Sequence, residues 1–464
     1  MTRESVNSAG GGETVLNDVH SRLNPTRVRL LHRPTTVEEV QAALRQARAD
    51  GLPVAICGGR HAMGGQQFCS DGVQLDMSGM NRVLWIDHSR RTARIEAGAQ
   101  WPEIVSGLQA GQIGVRVPLT FRQKQTGADQ LSLGGALAAN VHGRGLRWPP
   151  FVSEIASFLL VDGDGDVHRC SRRENPDLFR LAIGGYGLFG VVVEVELRLV
   201  PRRPLERVVE ITTLDDIATT FEARNREDFE YGDFQFMTDA TAEGFMNKGV
   251  LSCYRPVQGE REPMPDSVEL RPEMWKRLLH LAHVDKASAF ELYAGHYRAT
   301  HGQVYASDLH QLGTYVEGYH EEIDAATRVA GSEMITELYV PRDRLTDFMQ
   351  VCRSDFREHG VDFIYGTIRL IEEDEETFLP WARRPYACVI FNLHVAHDEA
   401  GVARAIVDFK RLIDRALERG GSFYLTYHRW ATREQLLQAY PELPAWLAEK
   451  RRFDPEERFQ SDWY

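Results

Sequence analysis

The chain has 464 residues, of which 43% are hydrophobic and 26% charged, a balance typical of a globular protein and not of a disordered or collagen-like chain. Its length suggests two or three domains, and no apolar run approaches the roughly 20 residues that cross a bilayer. The formal net charge of -13 argues against nucleic acid and anionic membranes as partners, because an acidic surface repels phosphate.

The polar start of the chain predicts a flexible leader over residues 1–24 and lacks the apolar stretch of a secretory signal. The six cysteines are scattered, with no C-x-x-C pair, which is typical of free thiols in a reducing compartment. We therefore expect a cytoplasmic protein, a monomer or homodimer, with neither a membrane nor a nucleic-acid partner.

The first hundred residues alternate helix and strand patterns. Thr36 and Glu39 have the spacing of a capping box, and the apolar periodicity that follows predicts a helix ending at Gly51. A short apolar strand over residues 54–57 runs directly into a glycine-rich loop at 58–65. Further patterns predict strands over 73–76 and 93–96 and a helix over 101–110.

Two more glycine-rich stretches follow, at residues 131–143 and 184–190. The second contains the letters G-x-G-x-x-G at 185–190, but a helical pattern precedes it and an alternating strand, 191–200, follows it. A dinucleotide fingerprint needs the opposite order, so a nicotinamide-binding unit is disfavoured. The glycines then serve either a structural turn or close approach of the backbone to another ligand.

Pro201 and Pro204 mark the predicted domain boundary. Residues 205–410 carry aromatic-rich strands such as 231–237, with helices between them, and a charged surface segment is predicted at 258–272. The acidic run 372–376 predicts a solvated loop or the start of a helix. An amphipathic helix is predicted over 400–419, ended by two glycines before a strand at 422–426.

His61 lies inside the first glycine-rich loop, which has four glycines in eight residues. Such a loop is either a tight turn capped by the histidine or a nest of backbone amides around an anionic group such as a pyrophosphate. In the second case the histidine is placed to act as a nucleophile.

Taken in order, the three glycine-rich segments resemble those of the FAD-linked oxidases of the vanillyl-alcohol oxidase and p-cresol methylhydroxylase (PCMH) type. The matching stretches are CGGRHAMGGQQF, LSLGGALAANVHGRG and NPDLFRLAIGGYGLFGVVVEVEL, and a weaker match is RRFDPEERFQSDWY near residue 464. The sequences of these stretches most resemble those of alditol oxidases, cytokinin dehydrogenases and decaprenylphosphoryl-ribose oxidases.

This resemblance implies an α+β fold with three parts. A PCMH-type FAD-binding domain of two α/β subdomains is expected over residues 25–204, and a substrate-binding cap domain, an antiparallel sheet flanked by helices, over 205–430. Residues 431–464 are expected to return to the FAD domain.

The resemblance also implies FAD as cofactor, covalently attached through His61. A single bond is expected, since no cysteine lies between Cys69 and Cys170 to form a second one. The residues expected to contact FAD are Gly58, Gly59, Arg60, His61, Ala62, Gly64, Gly65, Ser132, Gly134, Gly135, His142, Gly187, Gly190, Val191 and Val192.

The substrate pocket is less well defined by the resemblance. Arg369 matches an arginine of alditol oxidases, whereas Thr367 stands in place of their glutamate and Tyr427 in place of a lysine. His142 is interpreted either as a histidine near the reactive edge of the flavin or as one that only satisfies backbone groups. The predicted catalytic residues are Tyr427, His142 and Arg369; the predicted substrate contacts are Arg369, Thr367, His394 and His428.

Two histidine pairs have i, i+3 spacing: His280 with His283, and His394 with His397. No carboxylate or cysteine pattern accompanies them, so no metal site is predicted.

The predicted activity is oxidation of a small alcohol-bearing substrate (a polyol, sugar or related CH–OH compound) by hydride transfer to flavin N5. Dioxygen or another electron acceptor then reoxidises the flavin. The alternatives left open are a flavin-dependent C=C reductase, an amine dehydrogenase and a redox-inactive binding protein on the same fold.

Overall fold

The computed structural model describes residues 14–127, 129–257, 270–313 and 318–464. The protein is an α+β protein, as predicted from the sequence. Most of the segment 258–272, and residues 1–13 of the predicted leader, lie outside the described residues.

The first subdomain packs a helix against a three-stranded parallel sheet of order β3-β5-β4. Thr36 caps the helix by accepting a hydrogen bond from the amide of Glu39, and the helix buries one apolar stripe that includes Val40 and Leu44. Its elements are β1 (Thr14–Leu16), β2 (Thr26–Val28), β3 (Leu30–His32), α1 (Val37–Ala49), β4 (Val54–Cys57) and β5 (Val73–Asp76).

The flexible leader predicted over residues 1–24 is wrong for its second part, since residues 14–24 are ordered. Strand β1 pairs antiparallel with β2. Buried Asp18 accepts hydrogen bonds from Ser21, and the Asn24 side chain donates to the carbonyl of Met63 at 2.7 Å. These polar contacts fix a segment that has few apolar residues, which is why its composition looked disordered.

The second subdomain is built on a five-stranded antiparallel sheet of order β10-β9-β11-β7-β6. The third glycine-rich stretch lies between α4 and β11, so the helix-before-strand order predicted for it is confirmed. The elements are β6 (Val83–Asp87), β7 (Thr92–Glu96), α2 (Trp101–Ala110), β8 (Leu119–Thr120), α3 (Leu133–Ala138), β9 (Ile155–Val161), β10 (Val167–Ser171), α4 (Pro176–Ala182), β11 (Val191–Arg198) and β12 (Val200–Pro201).

The cap begins at Pro204 and contains one eight-stranded antiparallel sheet of order β16-β13-β15-β14-β18-β19-β17-β20. Helix α9 contacts both α5 and α10, and helix α6 contacts both α7 and α8. The elements are β13 (Pro204–Thr213), α5 (Leu214–Arg226), β14 (Tyr231–Phe236), β15 (Lys248–Pro256), α6 (Pro272–Val284), α7 (Lys286–Ala299), β16 (Val304–Ala306), α8 (Tyr319–Thr327), β17 (Gly331–Pro341), α9 (Leu345–His359), β18 (Phe363–Ile371), β19 (Tyr386–Ala396), α10 (Glu399–Leu417) and β20 (Ser422–Phe423).

The chain then returns to the first subdomain. After α11 (Arg433–Ala439) and α12 (Leu443–Phe453), the segment around Phe459 runs beside β4. The Val54 amide donates to the carbonyl of Arg458 at 2.7 Å, and the Ser70 amide donates to the Asp462 carboxylate at 2.8 Å. Residues 454–462 are therefore an integral part of the first subdomain.

Two local predictions differ from the structure. The strand predicted over 422–426 is confined to β20, so Tyr427 lies in the loop that follows it. The acidic run 372–376 is not fully solvated, since Asp374 is buried and accepts a hydrogen bond from Asn140 at 2.8 Å. Within the described part of the chain, no helix is both long and apolar enough to cross a membrane.

Candidate functional site

A cavity of about 940 Å³ lies between the N-terminal subdomains and the cap sheet. This volume is at the upper end of the range of about 300–1,000 Å³ for small-molecule sites. Residues from all three glycine-rich segments line it, together with residues from the cap. The predicted cofactor contacts that line it are Gly58, Gly59, Arg60, His61, Ala62, Ser132, Gly134, Gly135, His142, Gly187, Gly190 and Val192.

The first two glycine-rich segments contact each other directly. A Cβ atom on Gly58 would lie 2.0 Å from the Ser132 hydroxyl, and one on Gly59 would lie 2.2 Å from the Gln130 carbonyl oxygen. Only glycine permits this approach. Three predicted cofactor contacts, Gly64, Gly65 and Val191, are not among the residues that line the cavity.

His61 is buried at the cavity wall, and its Nδ1 lies 2.6 Å from Nε2 of His20. Burial, together with the neighbouring His20, lowers the pKa of His61 to about 3. The ring is therefore neutral at physiological pH, which is the protonation state a nucleophilic imidazole needs. Sequence reasoning did not identify His20.

Glu337, on β17, is the central polar group of the cap side of the cavity. Its Oε1 accepts hydrogen bonds from His142 Nε2, from the Tyr339 hydroxyl at 2.6 Å and from the Cys388 thiol at 3.2 Å. Burial raises the pKa of this carboxyl, but the adjacent His142 and these hydrogen bonds outweigh burial and lower the pKa to about 2. Glu337 is thus an ionised carboxylate in a desolvated site.

His142 lines the cavity, but both of its ring nitrogens are engaged. Nδ1 faces the carbonyl oxygen of Gly143 at 3.0 Å, and Nε2 faces Glu337. Both partners are hydrogen-bond acceptors, so both ring nitrogens are engaged by protein groups. His142 is therefore not placed to take a proton from a substrate hydroxyl.

Tyr427 also contacts Glu337, donating to Oε2 at 3.3 Å. Burial and the adjacent carboxylate raise the pKa of Tyr427 well above its usual range. The hydroxyl stays protonated, so Tyr427 can donate a hydrogen bond but is not suited to act as a base.

Arg369, on β18, is only 6% exposed, and its Nε has no hydrogen-bond partner among the described residues. It pairs in register with Cys388 of β19 and lines the cavity near Glu337 and Tyr427. A buried cation with an unsatisfied donor requires a polar partner, which a ligand in the cavity can supply.

A second group of charges lines the part of the cavity formed by β13, β14 and α7. Arg144 lies 3.4 Å from the Asp233 carboxylate, and Arg207 donates to the Tyr254 hydroxyl at 2.9 Å. Three tyrosine rings, including that of Tyr305 at 4.4 Å, surround the Arg207 guanidinium. This part of the cavity, which we call the chamber around Arg144 and Arg207, contains two guanidinium groups and one carboxylate. It therefore has an excess of positive charge.

The remaining predicted substrate contacts do not line the cavity. Thr367 is fully buried and donates to the carbonyl of Phe234 at 3.2 Å. His428 packs against the ring of Phe409, and burial lowers its pKa to about 3. His394 contacts Glu333 beside the cavity.

Comparison with known proteins finds similarity to FAD-binding proteins in part of the chain. A model of an FAD-binding domain matches residues 28–171. Mouse L-gulonolactone oxidase is 27% identical over 213 residues, 45% of each chain, and an L-gulono-1,4-lactone dehydrogenase of Mycobacterium tuberculosis is 30% identical over 175 residues, 38% of each. Over this FAD-binding part, the chain is thus similar to the FAD-linked oxidases that the glycine-rich segments resemble.

A further relative is an uncharacterised oxidoreductase from the fasciation locus of Rhodococcoides fascians, 37% identical over 166 residues, or 36% of each chain. The chain thus matches less than half the length of the relatives named here. The predicted nearness to alditol oxidase, cytokinin dehydrogenase and decaprenylphosphoryl-ribose oxidase stays a prediction.

The cavity fits FAD. It is continuous past all three glycine-rich segments, and it has apolar walls that include Ile56 and Val141. Buried polar atoms without partners among the described residues, Thr126 Oγ1, Asn392 Oδ1 and Arg369 Nε, belong to residues that line it. The residues that would hold FAD are those named above from the three glycine-rich segments.

Proposed function

We propose that this protein is an FAD-dependent oxidoreductase that oxidises a CH–OH group of a small sugar-derived compound. The observation that carries the proposal is the convergence of Glu337, Arg369 and Tyr427 on the cavity that the glycine-rich segments also line. Two of the named relatives are a gulonolactone oxidase and a gulonolactone dehydrogenase, which supports a sugar-derived substrate.

Bound FAD supplies the acceptor for the hydride of the substrate C–H bond. The residues of the chain orient the hydroxyl that loses its proton. Of the Glu337 oxygens, Oε1 accepts from three groups, whereas Oε2 accepts only the 3.3 Å bond from Tyr427 in the described residues. Oε2 is thus the oxygen free to accept the hydrogen bond of the substrate hydroxyl.

Arg369 and Tyr427 supply donors on the same side of the cavity. They hold the substrate oxygen as it becomes a carbonyl, and the contact with His142 helps to keep Glu337 ionised beside it. Tyr427 cannot remove the proton, because its pKa is raised. In this scheme Glu337 is the group that receives it.

The chamber around Arg144 and Arg207 binds the far end of the substrate in this proposal. Excess positive charge in a desolvated space favours a carboxylate or a hydroxyl-rich group. Sugar lactones and the corresponding sugar acids are therefore the first compounds to test. Dioxygen or another acceptor regenerates the oxidised cofactor.

We further propose that His61 carries the FAD covalently. Its neutral ring, held in the loop next to His20, is the nucleophile, as the resemblance of the loop implies.

The test is an anaerobic screen in which each compound is mixed with the yellow holoprotein and loss of visible flavin absorbance is recorded. Sugar lactones, sugar acids, polyols, aromatic alcohols and amines are compared, with NADPH as a control. We expect bleaching by a CH–OH compound and none by NADPH. Bleaching by amines alone would indicate an amine dehydrogenase, and bleaching by NADPH alone would favour a C=C reductase.

A matched pair of variants links the reaction to the site. Glu337→Gln should slow the bleaching, whereas Glu222→Gln, on the exposed face of α5, should not. Equal rates in both variants would overturn the role proposed for Glu337.

A further inference from the structure

Outside the proposed reaction centre, the buried carboxylate of Glu333 is surrounded by three histidines. His283 Nε2 lies 2.9 Å and His394 Nδ1 lies 3.2 Å from its Oε1, and His320 Nδ1 lies 3.3 Å from its Oε2. The groups come from four elements, β17, α6, β19 and α8. The side chains of Glu333, His283 and His320 are at most 3% exposed, and that of His394 is 10% exposed.

The hydrogen bonds of His283 fix which nitrogen faces Glu333. Its Nδ1 lies 2.8 Å from the carbonyl oxygen of Leu279, so Nδ1 carries the proton and donates. In the neutral ring, the lone pair of Nε2 then points at a carboxylate oxygen. Two lone pairs at 2.9 Å repel unless a proton or a cation lies between them.

The same arrangement is typical of a metal-binding histidine. A ligating imidazole commonly donates its other N–H to a backbone carbonyl, as His283 does to Leu279. The ligand atoms of His283, Glu333 and His394 all lie within 4.8 Å of one another. In a tetrahedral site with bonds of about 2.0–2.1 Å, ligand atoms lie about 3.3 Å apart, close to the two distances measured at Glu333 Oε1.

We propose that His283, His394 and Glu333 bind a divalent transition-metal cation of the Zn²⁺ type. Two imidazoles and one carboxylate are a known ligand set for such ions. The second carboxylate oxygen is held by the Tyr319 hydroxyl at 2.6 Å and by His320, which orients Glu333 toward the metal. Glu333 and Tyr319 also line the main cavity, so the fourth coordination position opens toward it.

The bound cation holds helix α6, which forms part of the cavity wall. Residues of α6, including Trp275 and Leu278, line the cavity, yet Leu278 is the one buried apolar residue within that helix. Apolar packing therefore anchors α6 weakly. A metal shared by His283 of α6 and two strands of the cap sheet holds the helix in place over the cavity. This site is independent of the reaction proposed above.

The experiment uses untagged, full-length, FAD-loaded protein, freed of metal with a chelator that is then removed. Zn²⁺ binding is measured by titration calorimetry, and the metal retained after desalting is counted by mass spectrometry. We expect one Zn²⁺ per chain. In His283→Ala and His394→Ala, affinity should fall at least about tenfold.

The chain supplies two matched controls in the histidine partners of the i, i+3 pairs. His280 is exposed on α6, and His397 contacts the Ser332 hydroxyl instead of Glu333. His280→Ala and His397→Ala should each bind Zn²⁺ like the original chain. FAD content and circular dichroism verify that every variant is folded.

The outcomes separate the two uses of the cluster. Less than about 0.1 equivalent of Zn²⁺, or equal losses in control and ligand variants, would overturn the metal site and leave Glu333 as a hydrogen-bonded carboxylate. If the ligand variants lose the metal but their flavin is still bleached by substrate, the result supports the metal site and leaves the proposed reaction unchanged.

Discussion

Replacing Glu337 by glutamine removes a buried negative charge and keeps the shape of the side chain. In the folded protein the carboxyl pKa is lowered from 4.5 to about 2 against the opposing effect of burial. That fall corresponds to about 3 kcal/mol of folding free energy at neutral pH. Removing one partner of a buried ion pair gives a similar figure, about 3–5 kcal/mol. We therefore expect Glu337→Gln to lower the free energy of unfolding by about 3 kcal/mol at pH 7.

The dependence of this loss on pH follows from the direction of the pKa change. Because the folded state keeps the carboxyl ionised, its contribution is complete above the ordinary pKa of 4.5 and is lost as the pH falls through about 2. At pH 3 the difference between the original chain and the variant should shrink to roughly half its value at pH 7.

Urea unfolding at pH 7 and pH 3 measures both values, with Glu222→Gln as the exposed control. A double-mutant cycle with His142→Asn isolates the pair, and its coupling energy should exceed about 1 kcal/mol. A variant as stable as the original chain at pH 7, or a difference unchanged at pH 3, would refute the assignment of Glu337 as a buried carboxylate held ionised by His142.

The remaining predictions concern the cofactor and the substrate. Acid precipitation should leave the yellow colour in the pellet of the original chain and in the supernatant of His61→Ala; a colourless pellet from the original chain contradicts the covalent bond. Arg369→Lys should lower kcat/KM about tenfold or more because the guanidinium fork is lost, and an unchanged value would make Arg369 structural. Tyr427→Phe should slow flavin reduction in stopped flow more than it raises KM, whereas a change in KM alone would limit the hydroxyl to binding. Gly187→Val should reduce FAD content, since φ is +78° there, and saturable NADH binding by the original chain would contradict the exclusion of nicotinamide cofactors.

Local sequence patterns predicted the elements of the FAD-binding half well. The N-cap at Thr36, the helix over 101–110 and the alternating strand after Gly190 all lie where the patterns indicate. The other half of the predicted capping box does not form, because the Glu39 carboxylate accepts from Thr35 instead. These signals work because caps and alternation depend on residues within a few positions of one another. The order of residues 14–24 was missed, because it depends on polar contacts such as that of Asn24 with Met63, 39 residues away.

Only those residues of the candidate site that lie within recognisable motifs were predicted from the sequence. Glu337 was missed because it contacts His142 across 195 residues, and no spacing in the sequence connects them. A charged residue among the apolar residues of β17 was the available signal. The two histidine pairs were interpreted within each pair, whereas folding joins one member of each, His283 and His394, at Glu333.

The bridge between Val54 and Phe459 determines when the first subdomain can finish folding during synthesis on the ribosome. Leu52 and Arg458, which share a hydrogen bond, are 406 residues apart. At about 5–20 residues per second, translation of that interval takes roughly 20–80 seconds. Strand β4, which leads into the His61 loop, spends this time with one edge unpaired. The cofactor site is thus completed late in synthesis, and a chaperone that shields this strand in the nascent chain would improve the yield of yellow protein.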